Sequence, residues 1–286
     1  MTLSDNARGG LLMTFSMAVF AIADACIKAS SSYIDQGLIL LCLGLGSTVI
    51  FAALAIGRGV PIFSRTLLAW PVVGRCGVEI VATGAIVMAV SRADLSTVSA
   101  IQQTAPLIVV GGAAIFFHET IGWRRITALV LGMTGMLLIL RPSTDAFDPN
   151  LLFAVVAALG FGARDLLTRA VPDTVNSLQL SLWGSISLMP AGAILMLLGT
   201  QGMAWDHRAT LPMVLAILSG TLAYYAITAV MRIGEISAVA PLRYTRLVFA
   251  AALGILIFGE RPDFLTCLGA ALVVGSGIYA LFRSRP

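Results

Sequence analysis

One stretch of the chain, residues 235–260, is long and apolar enough to cross a bilayer, yet it carries two arginines in its interior. Arg243 and Arg246 are three residues apart, so both side chains lie on the same side of a helix. An arginine at bilayer depth costs about 2.5–3.5 kcal/mol, and more where it faces lipid. Two arginines on one face therefore predict a polar interior that this helix shares with other helices.

Composition places almost the whole chain inside a membrane. Of its 286 residues, 58% are hydrophobic and 11% are charged, whereas soluble domains carry about 25% charged residues. Ten apolar spans are separated by short connections. They are 10–30, 37–56, 67–90, 95–117, 126–140, 151–167, 177–198, 211–231, 236–258 and 264–282. The sequence predicts an all-α integral membrane protein with ten transmembrane helices.

The chain repeats itself at a constant offset of 141 residues. Matching positions are Phe20 and Phe161, Asp24 and Asp165, Ser96 and Ser237, Thr104 and Thr245, and Glu119 and Glu260. A repeat of five spans crosses the membrane an odd number of times, so its second copy is inserted in the opposite direction. We expect two inverted five-helix units, residues 1–145 and residues 146–286.

Basic residues in the connections indicate the orientation of the chain. The side of the N-terminus has nine, namely Arg8, Arg58, Arg65, Arg124, Arg125, Arg169, Arg232, Arg283 and Arg285. The other side has five, namely Lys28, Arg92, Arg141, Arg208 and Arg261. By the positive-inside rule we expect both termini in the cytoplasm and the protein in an inner (plasma) membrane.

Two acid–base pairs occur at matching positions of the repeat. Asp24 and Lys28 are four residues apart, and Asp165 and Arg169 repeat that spacing, so each pair can form on one helix face. Inversion places the pairs toward opposite membrane surfaces. They are either two gates that open in turn, or pairs that neutralise themselves and anchor helix ends.

Arg75 and Glu79 have the same spacing in the third span, with the base first. Arg75 lies near the inner end, where a long basic side chain can reach the interface. Glu79 lies deeper and is a candidate protonation site. The alternative is a structural ion pair between the two residues.

The middle of the fourth span is polar and matches the arginine-bearing part of the ninth. Ser96, Ser99 and Gln103 share one face, with Gln102 and Thr104 beside it; the matching residues include Arg243, Tyr244 and Thr245. A cavity between amides and guanidinium groups suits a carboxylate or phosphate, which arginine binds with two parallel hydrogen bonds. The competing interpretation is an internal ion-pair network, for example of Arg243 or Arg246 with Glu79 or Asp165.

Pro106 and Pro241 lie inside the fourth and ninth spans. Proline has no backbone N–H and its ring clashes with the preceding turn, so it can kink a helix. We expect both helices to deviate from straight geometry at these positions.

Signatures of other functions are scarce. The two histidines, His118 and His207, fall at span ends or in connections and form no metal-ligating pair. The only lysine, Lys28, belongs to no phosphate-binding loop, so we expect no ATP hydrolysis. The scattered charges form no basic patch for nucleic acid. We therefore expect no enzyme activity, no metal, no cofactor and no nucleic-acid partner.

Two hairpins of the sequence resemble the EamA-type repeat of the drug/metabolite transporter superfamily. They are residues 105–119 followed by 123–142, and residues 240–263 followed by 268–283. The central proline, the terminal Glu119 and Glu260, and the glycine-rich following helix carry the resemblance. It implies ten helices in two inverted halves, a central cavity and alternating-access transport. Members of this type carry amino acids, riboflavin or S-adenosylmethionine.

These observations lead to one functional prediction, a secondary transporter of a small organic metabolite that bears an anionic group. We expect the substrate to contact spans one, three, four, six, eight and nine. The predicted binding residues are Arg75, Glu79, Gln102, Gln103, Arg164, Arg243, Tyr244 and Arg246. The alternative is a passive facilitator or channel. We expect a monomer or weak homodimer in the bilayer.

Overall fold

The computed structural model describes residues 5–109, 112, 123–140, 147–172, 174–198, 204–230 and 240–282, and the regular structure in these ranges is helical. The helices are α1 (Asp5–Ser30), α2 (Gln36–Gly57), α3 (Trp70–Arg92), α4 (Leu95–Gln102), α5 (Trp123–Leu140), α6 (Leu151–Arg169), α7 (Ser177–Leu198), α8 (Thr210–Val230), α9 (Thr245–Phe258) and α10 (Phe264–Phe282). Short 3₁₀ helices cover Arg65–Leu68, His207–Ala209 and Ala240–Tyr244.

Six of the helices, α1, α2, α3, α6, α7 and α8, are long and apolar enough to cross a membrane. Large apolar side chains are exposed on the outside of the helices, with Leu197 at 86% and Leu256 at 82%. Trp70 and Trp123 are also exposed, and each begins a helix, where tryptophan favours the membrane–water interface. The prediction of an all-α, multi-pass membrane protein is confirmed.

The helices pack in pairs that join distant parts of the sequence. α1 packs along α8, α3 along α6, α2 along α7, and α5 along α10. α4 contacts α9, which also lies against α1, while α4 contacts α6. The largest apolar core includes Ile39, Leu95 and Ile101, all fully or almost fully buried. This arrangement places α4 and α9 between α1 and α6.

The fourth predicted span is interrupted near its middle. α4 ends at Gln102, residues 103–104 form a turn, and helical structure resumes at residues 105–109. The N–H groups of Gln103 and Thr104 bond to carbonyls three residues back, at 3.2 and 3.0 Å. Pro106 has no N–H to continue the α-helical ladder, and proline is tolerated in the first turn of the helix that follows.

The described part of the ninth predicted span is irregular at the matching position. The 3₁₀ segment Ala240–Tyr244 contains Pro241, and α9 begins directly after it at Thr245. Residues 244–245 correspond to residues 103–104 at the offset of 141. The deviation from straight helix expected near both prolines is therefore present, and it brings irregular backbone to the middle of the molecule.

Candidate functional site

A cavity of about 200 Å³ lies at the centre of the helices. Its walls come from α1, α2, α3, α4, α6, α7, α8 and α9, together with the Ala240–Tyr244 segment. The charged and amide side chains that line it are Asp24, Glu79, Gln102, Gln103, Arg164, Arg243 and Arg246. Ligand pockets commonly measure about 300–1,000 Å³, so this one suits a small metabolite.

The binding residues predicted from the sequence and the residues that line the cavity agree in part. Six of the eight predicted binding residues line the cavity, whereas Arg75 and Tyr244 lie outside its wall. α2 and α7, which were not expected to contribute, supply Ser47 and Ser185. A single serine in an apolar helix can line a cavity or pack against another helix, and the sequence alone does not distinguish these two roles. Substrate binding by any of these residues stays a prediction.

Four side chains, here named the cavity network, form a chain of ion pairs: Glu79, Arg164, Asp165 and Arg243. Arg164 lies 3.2 Å from Glu79 and 2.9 Å from Asp165. Arg243 reaches the second oxygen of Asp165 at 3.2 Å. The network joins α3, α6 and the segment before α9. The side chain of Arg169, the partner expected for Asp165, falls outside the described residues.

Arg75 connects helices behind the cavity wall. Its guanidinium donates to the Thr168 hydroxyl at 3.1 Å, to the Leu180 carbonyl at 3.4 Å and to the Tyr224 hydroxyl. It also lies 3.6 Å from Glu79, so the Arg75–Glu79 ion pair, given above as the alternative to a protonation site, is present. Because these contacts reach α6, α7 and α8, Arg75 fixes the position of α3 beside the cavity.

Asp24 has a different partner from the one expected. Its carboxylate lies 2.6 Å from Arg246 on α9, and the Arg246 guanidinium is 5.1 Å from the centre of the Phe20 ring. The pairing of Asp24 with Lys28 was wrong, although the spacing permits it. Asp24 faces the cavity, where Arg246 is available, while Lys28 lies a turn nearer the end of α1 and bonds elsewhere.

Lys28 belongs to a second group of polar contacts, the Glu260 cluster, which consists of Lys28, Leu95, Ser96 and Glu260. The Glu260 carboxylate accepts from Lys28 at 2.9 Å and from the Leu95 N–H at 2.6 Å. It also accepts from the N–H and hydroxyl of Ser96, at 3.0 and 2.7 Å. Lys28 donates in addition to the Ala93 carbonyl at 2.7 Å. The cluster thus satisfies N–H groups at the start of α4 and ties that start to α1 and α9.

Two glycines bring Glu260 to this position. Gly259 ends α9 with a φ of 65°, a left-handed conformation that glycine adopts without steric cost. The Glu260 N–H then bonds back to the Gly254 carbonyl at 3.1 Å, and a Cβ at Gly254 would collide with the Glu260 carboxylate. The sequence repeat marked Glu260, but nothing local to it indicated that it would cap a helix 165 residues away.

The pKa of Glu260 is lowered from its ordinary value of 4.5. Burial alone raises it, but the hydrogen bonds from Ser96, Lys28 and Leu95 together outweigh burial. Each of these bonds favours the ionised carboxylate. Glu260 is therefore held as an anion at the start of α4, where the helix dipole also favours negative charge.

Comparison with known proteins identifies the family. The model of the EamA-like transporter family matches residues 7–141 and again residues 149–282. The two matches together leave out only the termini and a short central connection. The chain belongs to the EamA-like transporter family.

This EamA-like transporter is similar to curated transporters for metabolites. An S-adenosylmethionine uptake transporter of Rickettsia bellii is 26% identical over 199 residues, covering 68% of this chain and 66% of the relative. A riboflavin transporter of Rhizobium johnstonii is 30% identical over 183 residues, covering 64% and 60%. The chain therefore spans slightly less than two thirds of these relatives' length. Both of these relatives are named as transporters of a small metabolite.

One solved crystal structure shares the fold of the EamA-like transporter. Its TM-score is 0.68 at 17% sequence identity, and the match covers 97% of this chain and 98% of the other. At that identity the likeness concerns the fold alone. It extends over nearly the full length of both chains, so the helices around the cavity form one shared architecture.

Proposed function

We propose that the protein is a secondary transporter that moves a small anionic metabolite by alternating access. The observation that carries the proposal is the central cavity, whose lining holds three guanidinium groups and two carboxylates. With Asp165 and Arg75 behind it, four arginines face three acids. One positive charge is therefore left for a substrate anion. An unpaired charge inside a membrane protein costs free energy, so its presence indicates a functional role.

Arg243 is the best placed anchor for that anion. Its side chain is 22% exposed, compared with 15% for Arg164 and 7% for Arg75. Among the described residues its guanidinium has one ion-pair contact, the 3.2 Å contact with Asp165. Because Arg243 lines the cavity, the remaining N–H groups of its guanidinium can bind a carboxylate or phosphate.

An inverted repeat supports the alternating-access part of the proposal. The family model matches the two halves separately, and the helix contacts occur as counterparts, for example α3 with α6 and α1 with α8. We infer two inverted units, residues 1–145 and 146–286, with five spans each. In such transporters the halves rock around a binding site at mid-depth.

The Glu260 cluster supplies a contact that can close one end of the cavity. It links α1, α4 and the end of α9, all of which contribute to the cavity wall or continue from it. With both termini in the cytoplasm of an inner membrane, as the arginine distribution favours, this end faces outward.

Uptake into liposomes tests the proposal directly. The purified protein is reconstituted and presented with labelled orotate, succinate, glutamate and a nucleoside monophosphate. We expect saturable, counterflow-stimulated uptake of at least one anion. Arg243→Gln should lower that rate at least about tenfold, because a charge-assisted hydrogen bond contributes about 1.5–3 kcal/mol.

Arg65→Gln is the matched control, since Arg65 is exposed on a 3₁₀ helix away from the cavity. It should reconstitute and transport as the wild type does. Equal uptake by wild type and Arg243→Gln would contradict the anchoring role. Flux that neither saturates nor responds to counter-substrate would favour the passive facilitator instead.

A further inference from the structure

Two aromatic rings in the cavity wall are each fixed against an arginine in the same way. The Arg246 guanidinium is 5.1 Å from the centre of Phe20, and the Arg164 guanidinium is 4.8 Å from the centre of Phe161. Each arginine is also paired with the acid one turn after the ring, Asp24 at 2.6 Å and Asp165 at 2.9 Å. Ring, cation and acid thus form two units of the same composition.

The two units occupy different walls of the same cavity. Phe20 and Phe161 both line it, and they are matching residues of the repeat. α1, which carries Phe20, packs on α8 and α9, whereas α6, which carries Phe161, packs on α3 and α4. α1 and α6 have no extensive contact with each other within the described ranges. The cavity therefore has an aromatic ring with its own guanidinium on each of two different walls, and such planes can stack on a flat ligand.

Gln103 places an amide between these walls. It is 4% exposed, and its side-chain nitrogen makes one weak hydrogen bond of 3.4 Å, to the Ser99 carbonyl. Its side-chain oxygen has no hydrogen bond to any described residue. A buried amide with a donor and an acceptor side by side matches the edge of a nitrogen heterocycle, the pattern by which glutamine reads a base.

We propose that the substrate is a planar nitrogen heterocycle that carries an anionic group, a proposal that rests on the transport function proposed above. The ring lies between the Phe20–Arg246 and Phe161–Arg164 units, and its polar edge bonds to Gln103. Its anionic group bonds to Arg243. The cavity selects a flat ring because a puckered one loses contact with both planes at once.

Orotate and dihydroorotate are probes that differ in ring planarity. Both carry one carboxylate and the same ring amides, but saturation of one carbon–carbon bond puckers the ring of dihydroorotate. Binding to the purified transporter in detergent is measured by titration calorimetry. We expect orotate to bind about tenfold more tightly, within the range that stacking of one base on an aromatic side chain supplies.

Leucine variants test whether the aromatic rings of Phe20 and Phe161 cause the preference for orotate. Phe20→Leu and Phe161→Leu should bring the two affinities to within about twofold of each other. Phe153→Leu, also on α6 but outside the cavity wall, should keep the preference for orotate. Arg243→Gln should weaken both probes equally, since both carry the carboxylate.

Three results would overturn the proposal. They are equal affinity of the wild type for the two probes, a preference that survives both leucine variants at the cavity, and binding of neither probe. None of these results would contradict the proposed transport function. That function is tested separately, by the saturable uptake of anions and its loss in Arg243→Gln.

Discussion

The Glu260 cluster and the cavity network are built from similar ionic groups, but they differ in how completely those groups are satisfied. In the cluster, both oxygens of Glu260 accept two hydrogen bonds each. In the network, one oxygen of Glu79 has no hydrogen bond, and Arg164 is shared between two acids. A fully bonded carboxylate holds one geometry, whereas a partly bonded network can change partners.

The two regions also differ in charge balance, and this difference likewise indicates that the cluster is fixed and the cavity network is not. The cluster sets one lysine and a helix N-terminus against one carboxylate. The described span interiors contain four arginines, Arg75, Arg164, Arg243 and Arg246, against Asp24, Glu79 and Asp165. The cluster therefore needs nothing further, while the cavity network has capacity for an added anion. Four predictions test this contrast, from the largest expected effect to the smallest.

The largest effect is expected for Arg164→Gln in the cavity network. The substitution leaves the buried Glu79 and the partly buried Asp165 without their closest cation. Removal of one partner of a buried ion pair costs about 3–5 kcal/mol. Unfolding in detergent, followed by circular dichroism, measures this loss. The double variant Glu79→Gln, Arg164→Gln should be more stable than Arg164→Gln alone. A cost below about 1 kcal/mol would show that the network does not depend on Arg164.

Glu260→Gln comes next and tests whether the cluster is a structural fixture. Glutamine can still accept one hydrogen bond at the start of α4, but it leaves Lys28 without its counter-charge. We expect a loss of about 2 kcal/mol, from a charge-assisted bond and a helix cap together. Unfolding of Lys28→Met, Glu260→Gln and the double variant gives the coupling between them. Additive single effects would contradict a direct contact.

Acid should remove part of the same stabilisation. The pKa of Glu260 lies below its ordinary value of 4.5, because the hydrogen bonds of the cluster outweigh the effect of burial. Its contribution is therefore complete above pH 4.5 and is lost as the pH falls through the lower pKa of the folded state. The gap in melting temperature between wild type and Glu260→Gln should narrow from pH 6 to pH 3. A constant gap would contradict the pKa shift.

The local features of the fold could be predicted from the sequence, because they depend on neighbouring residues. Apolar runs predict helices, and Pro106 and Pro241 predict the irregular backbone after α4 and before α9. The repeat and the arginines also indicated a polar interior, which the cavity wall at Gln103 and Arg243 matches in location. Each of these inferences rests on spacing within one helix or on a constant offset.

The choice of ionic partners could not be predicted in this way. Asp24 and Lys28 have the spacing of a pair, but Arg246, 222 residues from Asp24 in the chain, lies 2.6 Å from its carboxylate. Likewise the N–H groups that hold Glu260 belong to the backbone of α4 and carry no mark in the sequence. Partner choice depends on how helices pack, and spacing within a single helix does not encode it.

The smallest predicted effect is the change in orotate affinity caused by Asp165→Asn. It tests whether the cavity network exchanges ionic partners or is fixed. In the proposed mechanism a substrate anion competes with Asp165 for Arg243, which lies 3.2 Å from it. Removing the charge of Asp165 should tighten binding of orotate about tenfold, equivalent to about 1.4 kcal/mol. Release should slow accordingly, so transport falls even though affinity rises. The same neutralisation in the cluster, Glu260→Gln, should leave orotate affinity unchanged, because Glu260 pairs with Lys28 and does not compete with the anion for Arg243. Weaker binding in Asp165→Asn would mean that Asp165 orients Arg243 for the substrate, and the cavity network would then be as fixed as the cluster.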